Sequence, residues 1–223
     1  MPTLLARDAD ILVTMDDGGR ELHNAGLFVR DGVIEQVGPT EELPRNADVV
    51  LDMTGQILLP GFVNTHHHLD QTLTRALPHG QNINLFPWLR AHYLIWGRRT
   101  PEASRWGALV GLAELAASGC TTVFDHTYIF PNGCRLDDQI AAAQEIGVRF
   151  HASRGSMSLG ESQNGLPPDS LVEGRGRKIE IKKAIRIALV SRFCPSTFDP
   201  SCRMASGGEP VRQIGRRRQH EIA

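Results

Sequence analysis

Hydrophobic and polar positions change their rhythm near residue 60 of this chain. Before that point, short apolar runs separated by turn residues predict β-strands at 11–13, 26–29, 33–37, 49–52 and 56–59. Asp31-Gly32 lies between two of these runs and predicts a hairpin, because both residues of such a turn must accept a positive φ. We therefore expect a small all-β unit over residues 1–58.

After residue 60, strands and helices alternate. Residues 62–65 are predicted to form a short buried strand, and further strands are predicted at 121–124 and 148–152. A helix begins at Thr100-Pro101, with a capping hydroxyl and a proline at its first position, and ends before Gly119. Its predicted apolar face contains Trp106, Leu109 and Val110. A second helix covers 136–146 and ends at Gly147, so βαβ units and a parallel sheet are expected.

The composition is that of a soluble globular protein, with 41% hydrophobic and 22% charged residues. Acidic residues at Asp8 and Asp10 interrupt the N-terminus before any apolar core of a signal peptide develops. No apolar run approaches the roughly 20 residues of a membrane helix. The four cysteines show no CxxC spacing, which is typical of a reducing compartment. These features predict a cytoplasmic protein without a membrane partner.

The net charge of −1 conceals a marked asymmetry. Residues 1–173 contain 12 Arg, no Lys and 21 acidic residues, whereas residues 174–223 contain 9 Arg, 3 Lys and 4 acidic residues. The first part therefore carries −9 and the second +8. Such a change marks a boundary, and we expect three regions: residues 1–58, residues 59–173 and a disordered or irregular basic tail at 174–223.

Three consecutive histidines follow the predicted strand at 62–65. Side chains alternate faces along a strand, so His66 and His68 point to one side and His67 to the other. Two imidazoles at this spacing can share one divalent ion, and neutral imidazole suits Zn²⁺ or Fe²⁺. The alternative is a polar strand end with three solvated histidines, which the His-x-His between an apolar strand and Leu69 disfavours. We interpret His66 and His68 as metal ligands and His67 as a packing residue.

Further motifs accompany the histidines at residues 59–76, 85–89, 118–122, 130–133 and 154–161. With these motifs and the β unit before them, residues 1–173 resemble the amidohydrolase superfamily. The similarity is greatest to its purine- and triazine-processing branch, which includes 8-oxoguanine deaminases and triazine hydrolases. The resemblance implies an α/β fold in which a β-sandwich portion precedes a partial TIM barrel of about three βα units. It also allows a homo-oligomer for a full-length member.

The resemblance implies roles for individual side chains. His66 and His68 match the first two metal ligands of the family, whose ion we expect to be Zn²⁺, with Fe²⁺ as the alternative. Gln71, Trp88 and Arg154 match substrate-binding positions, although a helix cap, helix packing and an ion pair respectively explain them equally well. Two more histidines, His126 and His151, follow or end predicted strands, and we interpret them as satisfied polar strand ends.

The implied reaction is metal-assisted attack of water on an amidine-like ring carbon of a purine- or triazine-like molecule, after which an amine leaves. Deamination, as of 8-oxoguanine, and triazine amino- or chlorohydrolysis both fit this chemistry. A catalytic zinc normally has three protein ligands, and a full barrel takes about 250 residues. The family's later histidines, its aspartate ligand and its acid–base glutamate have no counterparts here. We therefore interpret the isolated chain as an incomplete, inactive fragment.

The sequence of the basic tail suggests its origin. Codons for Asp and Glu begin with GA, and an acidic segment read one base out of register gives Gly and Arg, as in Gly174-Arg175-Gly176-Arg177. This favours a frameshift near residue 173. Resequencing the gene tests the hypothesis, which fails if the frame is intact and no barrel remainder lies downstream in another frame.

A selected basic arm that binds nucleic acid or acidic lipid is the competing interpretation of the tail. The tail offers only Phe193 and Phe198 for base stacking and no nucleic-acid motif, so nucleic-acid binding is disfavoured. DNA binding measured across a salt series separates the two interpretations, because phosphate binding weakens steeply with salt.

Overall fold

The computed structural model describes residues 2–172 and the backbone of a short strand at Leu189–Val190. Apart from that strand, the predictions for the basic tail lie outside the described residues. Within the described part, an all-β unit comes first and alternating strands and helices follow it. The mixed α/β class predicted from the change in hydrophobic rhythm is therefore confirmed.

Five strands form the first sheet: β1 (Thr3–Val13), β2 (Glu21–Arg30), β3 (Val33–Pro39), β4 (Val49–Asp52) and β5 (Ile57–Leu58). β1 pairs antiparallel with β2 and parallel with β4 and β5. The predicted hairpin joins β2 to β3, and its turn residues Asp31 and Gly32 have φ of 50° and 77°. Leu5, Phe28 and Leu43 form the buried core of this unit.

The second sheet contains β6 (Phe62–Asn64), β7 (Cys120–Thr127), β8 (Arg149–Arg154) and β9 (Leu189–Val190). β6, β7 and β8 are parallel, as predicted, and β9 pairs antiparallel with β8. Three α-helices occur within the described residues: α1 (Leu85–Trp96), α2 (Pro101–Ala117) and α3 (Leu136–Ile146). α2 precedes β7 and α3 precedes β8, and Leu112, Val123 and Phe150 meet in their common core.

Helix ends follow the sequence signals closely. The Thr100 hydroxyl accepts a hydrogen bond from the Ala103 amide at 3.2 Å, and Pro101 occupies the first position of α2. α3 ends at Gly147, whose φ of 84° is in the left-handed region. These local signals are reliable because they satisfy backbone groups that the helix itself leaves without a partner.

The prediction that the strand after Pro60-Gly61 is buried was wrong. β6 forms, but Phe62 is 55% exposed and Val63 is 62% exposed. Within the described residues only β7 pairs with β6, so one edge of this strand lacks a neighbour. Apolar character predicted the strand correctly, whereas burial depends on which elements cover it.

Helix α1 is an element that the sequence pattern did not predict. It begins after Asn84, whose side chain makes no capping hydrogen bond, and Pro87 lies in its first turn. Tyr93 and Trp96 on this helix are nearly fully buried and pack with Ile129, which follows β7. Contacts with distant residues rather than a cap therefore support this helix.

The predicted apolar face of α2 is also only partly correct. Trp106 is 52% exposed and Val110 is 40% exposed, while Leu109 is buried. The helix instead buries a stripe of mainly small residues: Ser104, Gly107, Ala108, Gly111 and Leu112. Small residues allow the segment Leu69–Thr74, a 3₁₀ helix, to approach α2 closely. Hydrophobicity alone does not identify such a face.

Gly111→Val is expected to destabilise the protein by about 1–3 kcal/mol, because it overfills this interface. A Cβ at position 111 lies 2.7 Å from Leu69 Cδ2 and 2.8 Å from the Thr72 hydroxyl. Ala113→Val is the matched control, since it adds a β-branched residue on the exposed side of the same helix. Urea unfolding measures both. Equal stabilities of the two variants would contradict close packing at Gly111.

The described residues include two of the four cysteines and the helices α1, α2 and α3. No helix in residues 2–172 is long and apolar enough to cross a membrane. The two described cysteines, Cys120 and Cys134, are buried free thiols.

Candidate metal centre

The three histidines lie in the segment between β6 and the 3₁₀ helix Leu69–Thr74. The regular ladder ends at Asn64, but the chain continues alongside β7, because the His126 amide donates to the His67 carbonyl at 3.0 Å. The rings of His66 and His68 lie together with their centroids 5.2 Å apart. The predicted juxtaposition of these two imidazoles is therefore present, although it arises just beyond the strand.

One hydrogen bond determines which ring nitrogen of His68 carries the hydrogen. Its Nδ1 lies 2.6 Å from the backbone carbonyl oxygen of His126. A carbonyl oxygen can only accept, so Nδ1 carries the hydrogen and Nε2 keeps its lone pair. Metal-binding histidines are commonly held in this way by a carbonyl on the other ring nitrogen.

The histidines line an open cavity of about 250 Å³, and the lining residues are His66, His67, His68, Gln71, Thr72 and Arg75. The Gln71 amide donates to the Tyr128 hydroxyl at 3.4 Å. The guanidinium of Arg75 pairs with the exposed carboxylate of Glu114 at 2.7 Å. The cavity thus combines imidazole nitrogens with an amide and a cation that is already paired.

Burial favours neutral imidazoles around this cavity. It lowers the pKa of His67 and of His126, and the nearby His68 lowers both further. A neutral imidazole is the form that binds a metal ion. His67 Nδ1 is buried without a hydrogen-bond partner, and the His67 ring is half buried.

The donor set fits part of a zinc site. His66 and His68 supply two neighbouring imidazoles, and one of them has its free nitrogen defined by the carbonyl contact. Residues 2–172 contain no group of three or more His, Cys, Asp or Glu side chains arranged to hold a metal ion. The described part of the chain therefore provides fewer ligands than a catalytic zinc normally has.

A buried polar layer supports the segment that follows the histidines. Asp70 and Arg99 form an ion pair at 2.6 Å, with side-chain exposures of 1% and 6%. Arg99 also donates to the Ile129 carbonyl at 2.7 Å. Asp125 on β7 accepts a hydrogen bond from the Leu69 amide at 2.7 Å. Two separate contacts therefore attach the start of this 3₁₀ helix to the protein interior.

The other predicted site residues have mainly structural contacts. Trp88 packs against His92, with ring centroids 4.1 Å apart, within the aromatic cluster of α1. The guanidinium of Arg154 lies 4.6 Å from the centre of the Phe130 ring. Gln71 alone of the three lines the cavity. Their substrate-binding roles remain predictions.

The two remaining histidines differ in position. His126 lies near the end of β7 with its ring centroid 5.6 Å from that of His68, and its carbonyl orients the His68 ring. His151 lies in the middle of β8 rather than at its end and packs against Phe124. Interpreting His151 as a strand end was therefore wrong, because β8 continues to Arg154.

Sequence reasoning missed two residues beside the histidines. Tyr128 contacts Gln71, and its ring centroid lies 5.7 Å from that of His68. Asp125 is fully buried beneath the segment. A signal was present for Asp125, since an acidic residue directly follows the predicted β run at 121–124. Its partner could not be found, because Leu69 is 56 positions away.

Residues 57–207 match the model of the Amidohydrolase family. The chain is 46% identical over 151 residues to the 8-oxoguanine deaminase of Pseudomonas aeruginosa, a match covering 66% of this chain and 34% of that protein. It is 34% identical over 188 residues to the hydroxydechloroatrazine ethylaminohydrolase of Pseudomonas sp. strain ADP, covering 78% and 39% respectively.

A solved structure shows a similar arrangement. The atrazine chlorohydrolase of Arthrobacter aurescens TC1, complexed with zinc, superposes with a TM-score of 0.67 at 33% identity, covering 76% of this chain and 39% of that one. The chain thus spans between a third and two fifths of the length of the curated relatives named above.

Proposed function

The chain belongs to the amidohydrolase family, and on that premise we propose that it contributes to hydrolysis of carbon–nitrogen bonds in cyclic amidines. The substrate class is a purine-like heterocycle, with 8-oxoguanine as the first candidate. In this reaction the oxygen of water bonds to the ring carbon, the carbon–nitrogen bond breaks, and ammonia leaves. The identity to an 8-oxoguanine deaminase over 151 residues supports this choice.

One observation carries the proposal: the His66 and His68 rings lie 5.2 Å apart, and the His126 carbonyl fixes the tautomer of His68. We assign these two side chains as ligands of one divalent ion, zinc before iron. When bound, such an ion supplies Lewis acidity and activates water. The protein part of the task is to hold the two imidazoles close together and to fix the tautomer of His68.

The cavity residues have roles in binding the heterocycle. The Tyr128 hydroxyl holds the Gln71 amide at the cavity, and we assign Gln71 to bind the edge of the heterocycle. Trp88 and Arg154 belong to this proposal only through their match to family positions. The packing of Trp88 and the contact of Arg154 with Phe130 explain both side chains without a substrate.

We further propose that the parallel unit at residues 59–173 is the first part of a TIM barrel, with residues 1–58 as part of its β-sandwich. Two candidate ligands and no larger cluster in residues 2–172 support an incomplete centre. By this reasoning the chain holds a metal ion weakly and does not complete the reaction alone.

A triazine hydrolase is the second candidate. The zinc-complexed atrazine chlorohydrolase is structurally similar, and the hydroxydechloroatrazine ethylaminohydrolase match covers more of this chain than the deaminase match does. Both reactions use attack on an electron-poor ring carbon, so the same two histidines serve either substrate.

A chimera tests the reaction. Residues 1–172 of this chain replace the corresponding part of the Pseudomonas aeruginosa 8-oxoguanine deaminase, and the release of ammonia from 8-oxoguanine and of ethylamine from hydroxydechloroatrazine is measured. We expect ammonia from 8-oxoguanine, and its loss in the double variant His66→Ala/His68→Ala. Amine release from the triazine alone would favour the second candidate.

The unmodified chain is assayed in parallel after zinc addition. No ammonia release is expected from it. Turnover by the unmodified chain that depends on His66 and His68 would overturn the proposed incompleteness. A folded chimera with full zinc content but no activity on either compound would overturn the proposed reaction.

A further inference from the structure

Asp125 lies on the buried face of β7, where a charged side chain is unfavourable. The residues that alternate with it on this face, Val123 and Thr127, are buried, and Asp125 itself is 0% exposed. Both oxygens of its carboxyl group meet uncharged groups: the Leu69 amide at 2.7 Å and the Thr127 hydroxyl at 3.2 Å. A buried carboxylate without a cation in contact is costly, which favours the protonated form of Asp125.

Counting hydrogens indicates what Asp125 does. The Thr127 hydroxyl has a single hydrogen. Its oxygen lies 2.8 Å from the side-chain oxygen of Gln139, which can only accept a hydrogen bond. With the Gln139 amide as the structure orients it, that hydrogen is used on Gln139, and Gln139 Nε2 is buried without a hydrogen-bond partner. The remaining contact, between the Thr127 oxygen and Asp125 Oδ2, needs a hydrogen from Asp125. Burial supports this arrangement, because it raises the pKa of Asp125 to about 7.

Charged neighbours do not reverse the upward shift in the pKa of Asp125. Asp70 lies near enough to raise the pKa of Asp125 further, and Arg99 lowers it. Arg99 itself is occupied by Asp70 and by the Ile129 carbonyl. The opposite polarity requires the Gln139 amide to be reversed, so that it donates to Thr127 and Thr127 donates to an ionised Asp125. The pH dependence of unfolding distinguishes these two arrangements.

The other oxygen of Asp125 binds the backbone directly after the candidate metal ligands. Leu69 directly follows His68, and its amide donates to Asp125 Oδ1. The Leu69 side chain is fully buried in the core that contains Leu112. Asp125 therefore fixes the backbone at the point where the histidine segment turns into the 3₁₀ helix.

We propose that Asp125 is a positioning residue for the His66–His68 pair, accepting from Leu69 while donating to Thr127, so that an uncharged side chain of the same shape can replace it. The hydrogen-bond polarity stands independently of any reaction. The consequence for metal binding rests on the function proposed above.

The polarity is tested by urea unfolding of the whole chain between pH 4 and pH 8, comparing the wild type with Asp125→Asn. A pKa raised from 3.8 to about 7 gives stability that is present below pH 4 and lost as the pH rises through 7. Relative to Asp125→Asn, the folding equilibrium constant of the wild type is expected to fall about 100-fold or more over this range. Asp17→Asn, an exposed change, is the control.

A wild type that gains stability over Asp125→Asn with rising pH would show an ionised Asp125 and overturn the polarity. The positioning role is tested by hydrogen exchange at the Leu69 amide in Asp125→Asn and in Thr127→Val. Protection is expected to persist in Asp125→Asn, which keeps the acceptor. Faster exchange in Asp125→Asn than in Thr127→Val would overturn the role.

Zinc affinity, measured by titration of the same proteins at a pH below 7, where Asp125 keeps its proton, connects the Asp125 hydrogen bonds to the His66–His68 pair. Asp125→Asn is expected to stay within about twofold of the wild type, while Asp125→Leu loses about tenfold or more, as for removal of other supporting partners. Equal losses in both variants would overturn the link. If the wild type itself takes up no zinc, the proposed function fails, whereas the unfolding and exchange results still decide the polarity.

Discussion

Zinc binding by this chain is expected to weaken by at least about 10- to 100-fold when either His66 or His68 becomes alanine. Loss of an outer hydrogen-bond partner of a metal ligand typically weakens metal binding by about 10- to 100-fold, and loss of a ligand itself should weaken it at least as much. The two rings lie 5.2 Å apart, and His68 has its Nε2 free because Nδ1 donates to the His126 carbonyl. Each imidazole therefore supplies a large share of a two-ligand site.

His67→Ala is the matched control for this experiment. It removes the same side chain from the adjacent position, where the ring is half buried and the pKa is lowered by burial. His23→Ala, an exposed histidine of the first sheet, controls for unspecific uptake. Zinc is measured by titration against a chelating dye. Equal affinities in His66→Ala, His68→Ala and His67→Ala would remove the basis of the metal assignment.

Arg99→Ala is expected to destabilise the protein by about 3–5 kcal/mol, the largest change in stability that the structure predicts. Asp70 and Arg99 are almost completely buried and lie 2.6 Å apart. Burial raises the pKa of Asp70, and Arg99 is the contact that most opposes the rise. Without Arg99, Asp70 must be buried uncompensated or take up a proton, and the Ile129 carbonyl loses its donor as well.

Arg75→Ala is the control, because the Arg75–Glu114 pair joins the same 3₁₀ segment to α2 but is about half exposed. Exposed pairs contribute about 0–1 kcal/mol, so this change should be close to neutral. A second variant, Asp70→Asn/Arg99→Met, removes both charges and should recover part of the loss. Urea unfolding at pH 7 measures all three. Similar stabilities of Arg99→Ala and Arg75→Ala would show that the buried pair is not a structural anchor.

Several features of the fold and the site could be predicted from short sequence motifs. The family, the hairpin at Asp31-Gly32, both caps of the βα units and the closeness of His66 to His68 were predicted from short stretches. Each of these features except the family depends on residues within a few positions of one another. The ligand roles themselves stay predictions, as do those of Gln71, Trp88 and Arg154.

Errors occurred where the outcome depends on distant partners. Phe62 and Val63 have the apolar character of a buried strand but are exposed. Their burial depends on a neighbour along the second edge of β6, and within the described residues β6 pairs only with β7. α1 lacks a capping side chain and is held by packing against Ile129. The buried face of α2 is selected by closeness to Leu69, which favours glycine over larger apolar residues.

Local sequence therefore determined β1 to β8, the helices α2 and α3 with their ends, and the closeness of two histidines that are two positions apart. The fold decided which nitrogen of His68 is free and that a carboxyl group supports Leu69, through residues 58 and 56 positions away. Propensity and side-chain alternation act over a few residues, whereas burial and hydrogen-bond partners are set by segments that meet only after folding.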